Sequence, residues 1–188
     1  AQAHERINSL ATTDGLTGLA NHRTFQDTFD LMLYRAERRE LPMAIILCDL
    51  DHFKKLNDTY GHPFGDQVLK AVAEILAGAV RRVDLAARYG GEEFAILLEE
   101  SDAQSSRRIA ERIRKKIEAL TFWQAGEKVS PTMSLGLAVY PEDGREKSLL
   151  ISRADQALYH SKTRGRNQTT VWSGLPADIK RQLLAKAS

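Results

Sequence analysis

Two acidic pairs stand where this sequence could do chemistry. Asp49 and Asp51 close the apolar run Met43 to Cys48, and residues two apart on an extended chain project to the same side. Glu92 and Glu93 follow Gly90-Gly91, which is flanked by Leu85 to Tyr89 and Phe94 to Leu98 as a hairpin would be. With the hairpin beside the first strand, as topology rules favour, three or four carboxylates converge at one sheet end. Unpaired, they repel one another. A hard divalent cation relieves that repulsion, because Mg²⁺ takes oxygen ligands and shares them with substrate phosphates. The two glycines let the backbone turn tightly and a triphosphate come close.

The elements that must position these groups are legible from periodicity. Phe25, Phe29, Met32, Leu33 and Ala36 give one helix a buried face, with Asn21 or Thr24 as its cap. Met43 to Cys48, after Pro42, reads as a strand buried on both sides. A polar segment runs from Asp49 to Asp66, and then Val68, Leu69, Val72, Ile75, Leu76 and Val80 predict a helix ending near Arg82. A helix through Ile109, Ile113, Ile117 and Leu120, a strand from Thr132 to Tyr140 and a helix from Leu149 to Lys162 complete the series. The order βαββαβ after a leading helix predicts an α+β palm, a central mainly antiparallel sheet flanked by helices. Residues 1–13 read as a helical stub or linker, on the spacing of Ala3, Ile7 and Leu10. Residues 14–172 read as the catalytic domain and 173–188 as a tail in which Ile179, Leu183 and Leu184 make one amphipathic helix.

Composition narrows the function class. The chain of 188 residues is 43% hydrophobic and 28% charged, ordinary for a globular domain. Its formal charge of +2 argues against a nucleic-acid polymer as partner, which calls for a strongly basic face. The lone Cys48 ends an apolar run and reads as a core thiol in a reducing compartment. No apolar run approaches the roughly 20 residues that span a bilayer. The reading is a soluble, cytoplasmic domain, with a sensor or membrane anchor expected upstream because the chain opens on Ala1.

Three stretches then resemble the GGDEF family of diguanylate cyclases. Gly90-Gly91-Glu92-Glu93-Phe94 is similar to the signature loop in its Glu variant, and Asp14-Gly-Leu-Thr-Gly-Leu-Ala-Asn21 to the family's opening turn. The run Asp49-Leu-Asp-His-Phe-Lys-Lys-Leu-Asn-Asp-Thr-Tyr-Gly-His-Pro-Phe-Gly-Asp66 resembles its first strand and nucleotide loop. His22, where the family often has Arg, is a visible departure that leaves the core chemistry untouched.

The resemblance implies an enzyme that condenses two GTP into cyclic di-GMP, releases pyrophosphate and works as a homodimer. It implies Mg²⁺, or Mn²⁺, on Asp49, the Leu50 carbonyl and Glu92, with Glu92 or Glu93 helping to deprotonate the attacking 3′-hydroxyl. Asn57 and Asp66 match the positions that read guanine, whose N1 and N2 donors suit a carboxylate acceptor. Lys54, Lys162, Arg166 and the backbone amides near Phe53 match the phosphate contacts. Arg81 and Asp84, with Arg112, match the site where the product binds and inhibits. That pair lies five strand residues from Gly90, roughly 16 Å along the hairpin, so a ligand there acts on catalysis indirectly. The alternative is an inactive GGDEF domain that binds GTP or cyclic di-GMP as a regulatory module.

Overall fold

The computed structural model describes residues 12–186; the seam proposed for Ala3, Ile7 and Leu10 lies outside them. The chain runs α1 (His22–Arg39), β1 (Met43–Leu50), α2 (Phe53–Tyr60), α3 (His62–Ala79), β2 (Leu85–Arg88), β3 (Glu93–Glu99) and α4 (Ala103–Glu118). Then follow β4 (Phe122–Gln124), β5 (Glu127–Val129), β6 (Met133–Tyr140), α5 (Lys147–Thr163), β7 (Thr169–Val171) and α6 (Ala177–Lys186).

β1 is the buried centre of a five-stranded sheet ordered β2-β3-β1-β6-β7. It pairs antiparallel with β3 and with β6, and only β7 runs parallel to its neighbour. All eight β1 residues are buried because helices cover both faces. Ala44, Ile46 and Cys48 face Val68, Val72 and Leu76 of α3 and Ile113 and Ile117 of α4. Ile45 and Leu47 face Phe25 and Phe29 of α1 and Leu150 and Ala154 of α5. Cys48 is fully buried, and that burial, with Asp49 adding to it, pushes its thiol far above the ordinary range. It is packing, not a nucleophile. Among the described residues no helix is long and apolar enough to cross a membrane.

The α+β palm and its main elements are as the periodicity predicts, and Asn21 is the cap, its side chain accepting from the Thr24 amide at 2.9 Å. The structure adds detail in two places and moves one helix end. The polar stretch after Asp49 is largely helical: α2 begins after His52, which adopts a left-handed backbone, and α3 begins with Pro63 in its first turn. α3 stops at Ala79 and Val80 is extended, because the Asp84 carboxylate takes the Arg81 amide into a separate turn. The hairpin β4–β5 and strand β7 are three residues per strand and partly exposed, too short for an alternating pattern. The tail helix exists, and Leu183 joins the core beside Leu158, whereas Leu184 stays 44% exposed.

One close approach sets the position of α5. A Cβ on Gly136 of β6 would lie 2.0 Å from the Leu158 nitrogen and 2.4 Å from the Ala154 oxygen, both backbone atoms that cannot yield without moving the helix. Gly136→Ala should therefore lower stability by about 1–3 kcal/mol, read as a fall of several degrees in Tm. Gly91→Ala is the control, since no atom lies within 4 Å of that position. Equal Tm values for the two variants would contradict this packing.

Candidate active site

The end of β1 gathers the carboxylates. Asp49 pairs with Glu93 across β3 and with Ser134 across β6, and the Leu50 amide donates to the Glu92 carbonyl at 3.2 Å. Asp49 is only 6% exposed, and Lys162, near the end of α5, donates to its Oδ2 at 2.7 Å. Burial raises the Asp49 pKa, Lys162 and Arg166 pull it down, Asp51 pushes it up, and the balance stays above the ordinary value. Glu92 is raised as well, by burial first and then by Asp49, with Lys162 opposing and Glu93 adding. Burial is the first cause for both acids, and Asp49 adds to the shift of Glu92, the environment in which a cation is favoured.

Asp51 lines the same cleft and its charge acts on Asp49, but its oxygens are taken up by other partners. β1 ends at Leu50, so Asp51 lies in the following turn and the two-residue alternation no longer governs it. Its oxygens accept from Thr132 Oγ1 at 2.7 Å, Ser134 Oγ at 2.6 Å and the Asn167 amide at 3.0 Å. Glu93 folds back instead over Gly90, where an added Cβ would meet its Oε2 at 2.5 Å. Gly90 therefore supplies space for Glu93; neither glycine of the pair is left-handed.

The opposite wall of the cleft is the start of α2. His52 has φ 55° and its side chain makes no cap, which leaves first-turn amides at Phe53 and Lys54 to be met by an anion. Phe53, Lys54, Lys162 and Arg166 line one cleft with Asp49, Leu50 and Glu92. Asn57, one turn further, packs against Gly65, whose Cβ would fall 1.8 Å from Asn57 Oδ1. That Oδ1 is buried with no hydrogen-bond partner, and Asp66 is exposed immediately after Gly65. A buried amide oxygen without a partner costs about 1–3 kcal/mol.

Two features escaped sequence reasoning. Arg88 donates to the Gly91 carbonyl at 2.8 Å and to both Asp14 oxygens at 3.3 Å, tying the opening turn to the Gly-Gly-Glu-Glu loop. Burial acts to raise Asp14, but the Thr17 hydrogen bonds and Arg88 hold it below its ordinary value. Asn167 forms a second tie, between Asp51 and α4. Each joins residues too far apart for any local spacing to reveal.

Arg81 and Asp84 pair at the other end of the hairpin. The Asp84 side chain is 1% exposed and accepts from the Arg81 amide, Nε and Nη2 and from the Glu99 amide. The Arg81 side chain remains 57% exposed, and Arg112 donates to the Ala79 carbonyl at 2.8 Å. Asp84 thus orients Arg81 and has little capacity left for a ligand, while the arginine is displayed.

Among the described residues no three His, Cys, Asp or Glu side chains stand close enough to enclose a metal ion. Asp49, Glu92 and a backbone carbonyl are hard oxygen donors, a set that fits an ion completing its shell with water and phosphate, as Mg²⁺ does. Strand-end carboxylates beside lysine and arginine in one cleft, on an α+β palm, are groups suited to a metal ion and phosphate. The family model for the diguanylate cyclase GGDEF domain matches residues 11–168, and this chain belongs to that family.

Relatives agree. The chain is 39% identical over 172 residues to diguanylate cyclase A of Treponema denticola, covering 89% of this chain and 46% of that protein. It is 41% identical over 160 residues to the response regulator PleD of Caulobacter vibrioides, covering 84% and 35%. It spans less than half the length of either relative. The GGDEF domain of DgcB from Caulobacter crescentus, solved in complex with c-di-GMP, superposes with a TM-score of 0.82 at 38% identity, over 87% of this chain and 97% of that one.

The raised carboxylates make a stability prediction. The folded-state pKa of Glu92 lies above its unfolded value, so its charged form weakens the fold above that pKa and the penalty vanishes once it is protonated. In metal-free buffer Glu92→Gln should have a higher Tm than the parent at neutral pH, and the gap should close as pH falls below about 4. A lower Tm at neutral pH, or a gap indifferent to pH, would contradict the repulsion.

Proposed function

We propose that this chain is a diguanylate cyclase domain that joins two GTP molecules into cyclic di-GMP. The observation that carries the reading is the pairing of Asp49 and Glu92, both held above their ordinary pKa, with Lys162 2.7 Å from Asp49. The two acids are arranged for a cation that the lysine ammonium partly replaces. Mg²⁺ or Mn²⁺, held by Asp49, the Leu50 carbonyl and Glu92, would acidify the attacking 3′-hydroxyl and neutralise phosphate charge.

The protein groups then divide the work. Lys54, Lys162, Arg166 and the uncapped amides at Phe53 and Lys54 hold the triphosphate. Asn57 and Asp66 read guanine, the exposed Asp66 accepting from the base N–H groups. Glu92, with Glu93 beside it, accepts the proton of the 3′-hydroxyl as its oxygen bonds to the α-phosphorus of the other GTP. The α–β phosphoanhydride breaks and pyrophosphate leaves with the electron pair. Two such steps close the ring.

Each chain presents one such site, and cyclic di-GMP has two equivalent phosphodiesters, so two chains face each other about the product's own two-fold axis. Arg81 and Arg112 bind the product at the far end of β3 and feed back on the rate, with Asp84 holding Arg81 in place. The cyclic di-GMP in the DgcB structure supports a product site on this fold.

Incubation with GTP and Mg²⁺ followed by mass spectrometry tests the proposal. Cyclic di-GMP is the expected product, at a specific activity that rises with protein concentration, and Glu92→Gln should lower it by roughly a hundredfold or more. Consumption of GTP without cyclic di-GMP, or equal use of ATP, would overturn the assignment.

A further inference from the structure

The turn after α5 is built under backbone strain. Gly165, Arg166 and Asn167 have φ of 112°, 63° and 45°, three consecutive left-handed residues of which two carry side chains. The first closes a Schellman motif, with the Arg166 amide donating to the Ser161 carbonyl at 3.0 Å. The next two each cost on the order of 1–2 kcal/mol and persist only where the surroundings over-determine them.

Those surroundings converge on Asn167. Its amide donates to Asp51 Oδ2 at 3.0 Å, its Oδ1 accepts from Arg114 Nη1 at 2.8 Å, and its Nδ2 donates to Glu118 Oε1 at 2.8 Å. Arg114, with its side chain 12% exposed, is itself forked between Glu111 and Glu118 of α4. Asp51 is fixed from the other side by Thr132 and Ser134. The strained turn is thus fastened to β6 through Asp51 and to α4 through Arg114. Arg166 lies within it and Lys162 in the helical turn just before it, and the charges of both act on Asp49.

We infer that Asn167, anchored by Asp51 and Arg114, is a positioning residue that fixes the Lys162–Arg166 turn for triphosphate binding. This rests on the reading of the cleft as a GTP site. Asp51, the second acid of the Asp-x-Asp pair, works here as a buttress and not as a metal ligand. The carboxamide is the right group because it both accepts from Arg114 and donates to Glu118, which an aspartate at that position cannot do. It also tolerates the left-handed backbone better than most side chains.

The test measures binding of 3′-deoxy-GTP, which lacks the attacking hydroxyl and is not consumed, and of GMP, in Mg²⁺ by calorimetry. Asn167→Gly keeps the left-handed backbone accessible and removes the carboxamide. It should weaken 3′-deoxy-GTP roughly tenfold, as loss of a supporting contact does, and leave GMP affinity unchanged. Arg114→Lys, which keeps the charge but loses the fork, should act in the same direction by a smaller factor and serves if the glycine variant does not fold. Equal weakening of both ligands would make Asn167 a structural residue only, and undiminished 3′-deoxy-GTP binding in both variants would overturn the inference. A parent protein that binds neither ligand would remove the GTP site itself and the inference with it.

Discussion

A carboxylate buried at the end of a central strand is the constraint on which the rest depends. Asp49 is 6% exposed, and an isolated buried carboxylate is far too costly to stay ionised without a partner. Lys162 supplies that partner from α5, and it reaches Asp49 because Gly136 admits the α5 backbone directly onto β6. Glu92 arrives at the same place through the bond between its carbonyl and the Leu50 amide. The pair is left above its ordinary ionisation range, so the site favours a second positive charge and is incomplete as a purely structural ion pair. Surface salt bridges carry little free energy; a buried, unbalanced one is where function collects.

The same strand pairing separates the carboxylate cleft from the Arg81–Asp84 pair. β3 runs from Glu93, beside Asp49, to Glu99, whose amide donates to Asp84, a span of about 20 Å at strand rise. The hairpin is rigid in between, with Phe94 through Leu98 fully buried. A ligand drawn to Arg81 therefore meets an element whose other end carries the catalytic loop. The Asp14–Arg88–Gly91 tie secures that loop from the outside, so it is held on two sides and stands open on the third, toward the cleft.

Much of this was legible in the sequence, and the remainder was hidden for definite reasons. The β1 run, the Gly-Gly hairpin and the apolar faces of α1, α3, α4 and α5 are local periodicities, and local periodicity survives into the structure. Asp49 and Glu92 could be brought together because strand order follows from topology rules. Asp51 could not be placed by alternation, since the strand ends one residue earlier. Its partners Thr132, Ser134 and Asn167 lie 81 to 116 residues away. Asp84, matched to the product-binding position by resemblance alone, is a buried acceptor because β3 returns across it, which its spacing from Arg81 does not reveal. Side-chain networks that close over such separations leave no trace in spacing.

The central claim is that Asp49 and Glu92 hold a divalent ion shared with the nucleotide. Calorimetric titration of 3′-deoxy-GTP with and without Mg²⁺, in the parent and in Asp49→Asn, measures this without turnover. Tighter binding with Mg²⁺ in the parent, and loss of that increment in Asp49→Asn with Mg²⁺-independent binding retained, is the predicted result. An affinity in the parent indifferent to Mg²⁺, or an increment that survives in Asp49→Asn, would contradict the account.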